Sequence, residues 1–151
     1  MPNASTFAIT PDFTLGRHVD VGSFSRLFDL ATDRFREGLA IGADYAAARN
    51  RALMATEAYL TYRKEVRAGD SVTVETALLG RGATRLHLFH RMILGGDTAA
   101  TCELSLVHVD RTIGGSCPFS EDVALRLEAR LAEDASIVPA EVGRSVRKPV
   151  R

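Results

Sequence analysis

Asp20 stands directly before a long amphipathic pattern, with His18 two residues upstream of it. The first N–H groups of a helix have no intrahelical acceptor, so the amides of Val21, Gly22 and Ser23 are donors available to a ligand oxygen. Donors of this kind hold an oxygen on which negative charge develops, and Gly22 lets a substrate come close to the backbone. Asp20 is then either a base beside that oxygen or a plain N-cap. An imidazole changes charge near physiological pH, so His18 can orient an acid, bind a carbonyl, or simply satisfy a backbone carbonyl.

Glu57 is a second carboxylate in an unusual place, in the middle of a strand-like run. Strict alternation puts it on one face with Leu53, Ala55, Tyr59 and Arg63, so an acid sits among half-apolar neighbours. There it either pairs with a basic residue such as Arg63 or, with Tyr59 or Tyr62 as an aromatic face, receives a cation. His87 and His90 are three apart on a strand and point to opposite sides, and His108 has no partner at ligand spacing, so no metal site is expected. Without a Gly-x-Ser-x-Gly elbow a serine nucleophile is not expected either. Gly80-Arg81-Gly82 and Gly114-Gly115 are too short for a phosphate loop.

These residues are positioned by a simple series of elements. Ser5 to Pro11 alternates weakly as a brief strand. From Ser23, the residues Phe24, Leu27, Phe28, Ala31, Phe35 and Leu39 recur at three- and four-residue steps among charges, which predicts one long amphipathic helix. Gly42 stops it, and Ala43 to Asn50 reads as a short helical turn. Strands are expected over Ala52 to Tyr62, Ser71 to Leu79, Thr84 to Leu94 and Ala99 to Val109, separated by Ala68-Gly69-Asp70, Gly80-Arg81-Gly82 and Gly95-Gly96-Asp97. Such short links predict an antiparallel meander. The third strand is apolar on both faces, so one face packs on the helix and the other needs a cover, for which a partner subunit is expected. A second helix over Ser120 to Ala132 is placed at an edge or end of the sheet.

The 151 residues, 46% hydrophobic and 25% charged with mean hydropathy near zero, fit one domain over 1–151 with a polar tail at 133–151. A chain of this size buries roughly 70% of its extended surface, so no disulfide or metal is required to hold it. Nineteen basic against nineteen acidic residues argue against nucleic-acid and membrane-surface partners. Cys102 and Cys117 lack the number and spacing of a disulfide framework and are expected as reduced thiols. With no basic-then-apolar leader and no run near ~18 apolar residues, a cytoplasmic protein is expected.

The order of short strand, long helix, strand and meander is that of the hotdog fold, an α+β arrangement in which an antiparallel sheet wraps the helix. The run Tyr62-Arg63-Lys64-Glu65-Val66-Arg67-Ala68-Gly69-Asp70-Ser71-Val72-Thr73-Val74 resembles the strand, Gly-Asp turn and strand of hotdog thioesterases. Ala31-Thr32-Asp33, Arg85-Leu86-His87-Leu88-Phe89-His90-Arg91-Met92, Leu106-Val107-His108-Val109-Asp110 and Cys117-Pro118 resemble the betainyl-CoA thioesterases of carnitine degradation, over roughly Pro11 to Leu131.

The resemblance implies an acyl-CoA thioesterase without a cofactor, acting as a homodimer or dimer of dimers on a short polar or cationic acyl group. It also implies an acid before the long helix, followed by Gly-His-Met or Gly-His-Val and Asn. Aligned from Ala31-Thr32-Asp33 backwards, His18 takes the histidine and Asp20 the asparagine, while Thr14 takes the place of the acid. Asp12, two residues too early, and Asp20 are the nearest carboxylates, and Asp20 is preferred because it lies at the helix start. Coenzyme A carries a pyrophosphate and a 3′-phosphate, for which Arg63, Lys64, Arg67, Arg81 and Arg85 near strand ends are the candidates, unless they only flank solvated turns. A hotdog dehydratase would need a His and acid pair on a helix motif that is absent here. A binding module that has lost its acid is the competing reading.

Overall fold

The computed structural model describes residues 3–144. In chain order these form β1 (Asn3–Ala8), a 3₁₀ turn (Pro11–Phe13), β2 (Thr14–Leu15), β3 (His18–Val19), α1 (Val21–Gly38), α2 (Ala43–Arg49), β4 (Arg51–Tyr62), β5 (Ser71–Arg81), β6 (Arg85–Leu94), β7 (Asp97–Asp110), β8 (Gly115–Ser116) and α3 (Glu121–Glu133). The expected elements are all present, with ends displaced by a few residues.

The apolar stripe predicted for the long helix is the buried face of α1: Phe24, Leu27, Phe28, Ala31 and Phe35 are all inside. Each packs against the main sheet, whose order is β1-β5-β6-β7-β4 with β8 beside β7. Val72 and Val74 of β5, Leu86, Leu88 and Met92 of β6, and Leu104 and Leu106 of β7 complete the core. Thr32 of α1 meets His90 of β6, and Phe24 meets Tyr62 of β4, so the sheet curls around the helix from centre to edge. This is the expected hotdog arrangement.

The meander expectation holds for β5, β6 and β7 and fails for β4. Gly95 and Gly96, both with positive φ (59° and 85°), make the tight two-residue turn between β6 and β7. By contrast β4 pairs with β7, not β5, and residues 63–70 carry the chain from one edge of the sheet to the other side. The reason is that β5 already has two neighbours: β1 pairs with its first half and β6 with its other side. A short link read along the chain therefore suggested a hairpin where the sheet has a crossover.

The second half of β5, beyond β1, is covered by α3. Buried Asp134, at the end of α3, accepts the Leu78 amide (2.9 Å) and the Arg130 guanidinium (2.7 Å), while Arg130 also donates to the Thr76 carbonyl (3.0 Å). Side chains thus satisfy backbone groups that a strand would otherwise pair. The chain then crosses the outer face of the sheet. Ile137, Val138 and Pro139 lie over Glu75, Ala77, Phe89 and Arg91, and Glu141 forms a two-pronged ion pair with Arg91 at 3.1 and 3.0 Å. The cover expected from a partner subunit is supplied over this part of the sheet by the chain's own polar tail, because the Glu141 carboxylate can reach Arg91 and neutralise it at the surface of β6.

Candidate functional site

The entrance to α1 is built by two short segments held side by side. The β2–β3 hairpin docks on residues 65–67: the Val19 amide donates to the Val66 carbonyl at 2.8 Å, and His18 bridges to Arg67. Val19 and Val66 both point inward, 6% and 1% exposed. Alternation then turns the flanking residues, His18 and Asp20 on one segment and Glu65 and Arg67 on the other, toward solvent.

Asp20 caps α1. One carboxylate oxygen accepts the Ser23 amide (3.2 Å) and the other the Ser23 hydroxyl (2.7 Å). The Ser23 hydroxyl above all holds the Asp20 carboxyl below the usual range, against an opposing effect of burial and with the help of backbone amides including that of Gly22. The exposed residues Val21 and Gly22 open the helix beside it. Beneath them Phe24 packs on the ring of Tyr62 at a centroid distance of 5.2 Å, so the half-exposed tyrosine lines the inner side of the entrance. Burial, and then Cys102, raises the Tyr62 hydroxyl, which keeps it a neutral donor at physiological pH.

Two further acids went unread in the sequence, one at this entrance and one farther along α1. Glu65 forms an ion pair with His18 Nδ1, and its other oxygen receives Arg67 Nε at 2.7 Å. His18 and Glu65 are 47 positions apart in the sequence, and only the docking of the hairpin brings them together. Asp29 lies farther along α1, on a groove between the helix and strands β4 and β7 that Leu53, Ala55, Leu104 and Leu106 line. Burial, and then the charge of Asp33, pushes its carboxyl up. Its place between apolar helical residues was visible in the sequence, but the face it would present was not.

The other expected site residues scatter. Asp12 is exposed on the 3₁₀ turn. Glu57 does not share a face with Leu53 and Ala55, because a β-bulge at Thr56 shifts the register between Ala55 and Glu57. One inserted residue reverses every side chain beyond it. Leu53, Ala55, Ala58, Leu60 and Tyr62 therefore face α1, while Glu57 and Tyr59 join His87 and Glu103 on the outer face. Arg63 pairs with Glu141 (3.5 Å), not Glu57. Lys64 pairs with Asp97 at 3.1 Å. Arg63, Lys64 and Arg67 lie at the α1 entrance end of the sheet, whereas Arg81 and Arg85 flank the far end of β5, roughly 30 Å away at ~3.4 Å per residue. The basic residues form two groups and not one.

The three strand histidines divide as their alternation predicts. His90 is fully buried between Thr32 and Thr76, and His87 faces Glu103 on the outside at 3.1 Å. His108 is buried under Phe119, accepting from the Tyr45 hydroxyl (2.8 Å) and donating to the Cys117 carbonyl (2.9 Å). Cys102 and Cys117 are both free thiols, and burial, ahead of Asp29 and Glu103, pushes Cys102 up to about 12. Among the described residues no group of three His, Cys, Asp or Glu side chains could hold a metal ion, and no helix is long and apolar enough to cross a membrane.

A family model of the thioesterase-like superfamily matches residues 12–127. The chain is 33% identical over 135 residues to the betainyl-CoA thioesterase of Pseudomonas aeruginosa, a match covering 87% of this chain and 85% of that protein. It is 32% identical over 163 residues to the L-carnitine dehydrogenase/betainyl-CoA thioesterase of Ruegeria pomeroyi, a match that covers 99% of this chain but only 33% of that longer protein. Among solved structures, a Staphylococcus aureus protein in complex with CoA superposes with a TM-score of 0.92 at 21% identity, over 99% of this chain and 96% of that one. A Pseudomonas putida protein superposes with a TM-score of 0.85 at 25% identity, over 99% of both chains.

Proposed function

We propose, from the premise that this chain belongs to the thioesterase-like superfamily, that it is an acyl-CoA thioesterase whose reaction takes place at the entrance to α1. The observation that carries the reading is the meeting, on one solvent-facing patch, of exposed helix N-terminal residues with an acid and an imidazole: Val21 and Gly22 beside Asp20, His18 and Glu65. The Ser23 amide, expected as an open donor, is taken by Asp20, and the Gly22 amide also bonds that carboxylate, so the Val21 amide, joined by that of Gly22 when a substrate oxygen displaces Asp20, holds the oxyanion of a tetrahedral intermediate while the carboxylates assist the attack of water. Losing one such donor in enzymes costs ~2.7 to 4 kcal/mol of transition-state stabilisation.

The substrate is a short polar or cationic acyl-CoA of the betainyl kind. Two relatives at 32% and 33% identity carry betainyl-CoA thioesterase in their names, which supports the acyl group. An uncharged, half-exposed Tyr62 ring at the entrance supports it independently, since an aromatic face attracts a quaternary ammonium. Arg63 and Lys64, at the same end of the sheet, take the phosphates of coenzyme A.

The protein works as a homodimer joined through β4. This strand is twelve residues long, pairs on one side with β7 only among the described residues, and is exposed from Met54 to Ala58. A long unprotected edge recruits another strand, and a second copy of β4 satisfies it by two-fold symmetry.

Incubating the purified protein with acetyl-CoA, longer acyl-CoAs and betainyl-CoA, with a thiol-trapping dye, tests the reading. Free CoA released catalytically supports it. Tight CoA binding with no thiol released from any substrate would favour a binding module, a reading to which the double engagement of Asp20 by Ser23 lends some weight.

A further inference from the structure

We infer that Glu65 is a positioning residue that makes His18 the general base of this site, so that the carboxylate assistance reaches the substrate through an imidazole. The inference rests on the thioesterase reading above and goes beyond it in naming the groups that move the proton.

Glu65 is held from both sides. One oxygen faces His18 Nδ1, and the other receives Arg67 Nε at 2.7 Å. Arg67 is fixed in turn, because its amide donates to Asp70 Oδ2 at 2.8 Å and its backbone bridges to His18. The docking bond from Val19 to Val66, 2.8 Å, sets the separation of the two segments. A carboxylate pinned in this way can only accept, so Nδ1 carries the proton in the neutral ring. Nε2 is left with its lone pair, on a side chain that is 49% exposed and so open to water and substrate. Orientation of one ring nitrogen by a carboxylate leaves the other poised as a base, and such a pair needs no particular fold.

Asp20 is less suited to that task. Both of its oxygens already bond Ser23, an arrangement that keeps the carboxylate in its charged, weakly basic form. Its place is to fix the helix terminus. His18 and Asp20 lie two residues apart on an extended segment and share the solvent side, which puts the base on the side of the chain where α1 opens.

The reaction balances as follows. His18 Nε2 takes a proton from water as the water oxygen bonds the thioester carbon, giving a tetrahedral oxyanion and an imidazolium paired with Glu65. Collapse breaks the C–S bond, and the imidazolium returns its proton to the departing sulfur. The products are CoA thiol and a carboxylic acid, which loses its proton to solvent.

The test measures kcat and KM for the full chain and for His18→Ala, Glu65→Gln and Glu65→Asp, with and without added imidazole. His18→Ala should lower kcat on the order of 10²- to 10⁴-fold with KM little changed, and imidazole should restore part of it saturably while leaving the wild type unaffected. Glu65→Gln should lower kcat on the order of 10²- to 10⁴-fold, because the amide can donate to Nδ1 and hold the ring in the wrong tautomer, and Glu65→Asp should recover most of that loss. If both His18→Ala and Glu65→Gln keep kcat within twofold of wild type, or if imidazole leaves a folded His18→Ala unchanged, the inference is wrong. A wild-type protein that releases no thiol from any acyl-CoA would defeat the thioesterase reading itself, a separate outcome.

Discussion

His90 Nε2 lies 2.8 Å from Thr32 Oγ1 in the middle of the core, joining β6 to α1. The proton count fixes the ring state. Thr32 gives its only hydroxyl proton to the Phe28 carbonyl at 2.9 Å, so Nε2–H must donate to Thr32. Nδ1 then accepts from the Thr76 hydroxyl, also at 2.8 Å. Both ring nitrogens are satisfied in the neutral form, and burial, which disfavours the charged form, lowers the pKa from 6.5 to about 4.

Acid should therefore destabilise the fold through His90. The folded pKa is below the unfolded one, so between them the unfolded chain binds more protons. Stability is complete above about pH 6.5 and declines as the pH falls toward 4. The full effect is about 3 kcal/mol at 1.36 kcal/mol per pKa unit, with roughly 2 kcal/mol of it lost by about pH 5. Thermal melts at neutral pH and near pH 5 should show a wild-type loss larger by that amount than that of His90→Gln. Equal losses would place the proton elsewhere.

The strap over the outer sheet face should contribute measurably to stability. Burial by itself would raise the Glu141 carboxyl, but hydrogen bonds and charge from Arg91, with a smaller part from Arg63, keep it below the ordinary range. Its contribution is thus present at neutral pH and is lost as the pH falls through that lowered value. Because Arg91 keeps 29% of its side chain exposed, Glu141→Ala should cost only about 1 to 2 kcal/mol. Urea melts of the two proteins at neutral pH provide the check.

Acyl-group discrimination separates Tyr62 from Glu57. Tyr62→Ala should raise KM for betainyl-CoA roughly five- to thirtyfold more than for acetyl-CoA, the equivalent of about 1 to 2 kcal/mol of cation–π attraction. Tyr62→Phe should keep most of the preference. Glu57→Gln, on the outer face, should leave the ratio of the two substrates within twofold.

Charge placed on the free strand edge should dissociate the protein. Ala58→Lys puts an ammonium at an exposed position of β4 that faces α1, where a second strand would have to bury it. Light scattering should show the variant moving from dimer toward monomer at concentrations where the wild type stays paired. An unchanged mass would move the interface elsewhere.

What was legible in the sequence was local. The spacing of Phe24, Leu27, Phe28, Ala31 and Phe35 defined α1, and the position of Asp20 ahead of it offered the cap as one of two readings. Alternation sorted His87 from His90, and the Gly95-Gly96 pair located a turn. What was not legible depends on register between distant segments. The bulge at Thr56 leaves no residue signature, yet it moves Glu57 from the helix side to the outer side. The place of β4 at the far edge follows from β1 having occupied β5, which no link length reveals. Glu65 looked like one charge among several near a turn. Its meaning comes from His18, brought beside it by the docking of Val19 on Val66.

A single turnover of betainyl-CoA in ¹⁸O-labelled water, with enzyme in excess, tests most directly whether water attacks the thioester at this helix entrance. The account predicts one ¹⁸O atom in the released carboxylate, none in the protein, and one CoA thiol per acyl group. Label appearing in Asp20 with unlabelled product, or no thiol at all, would contradict it.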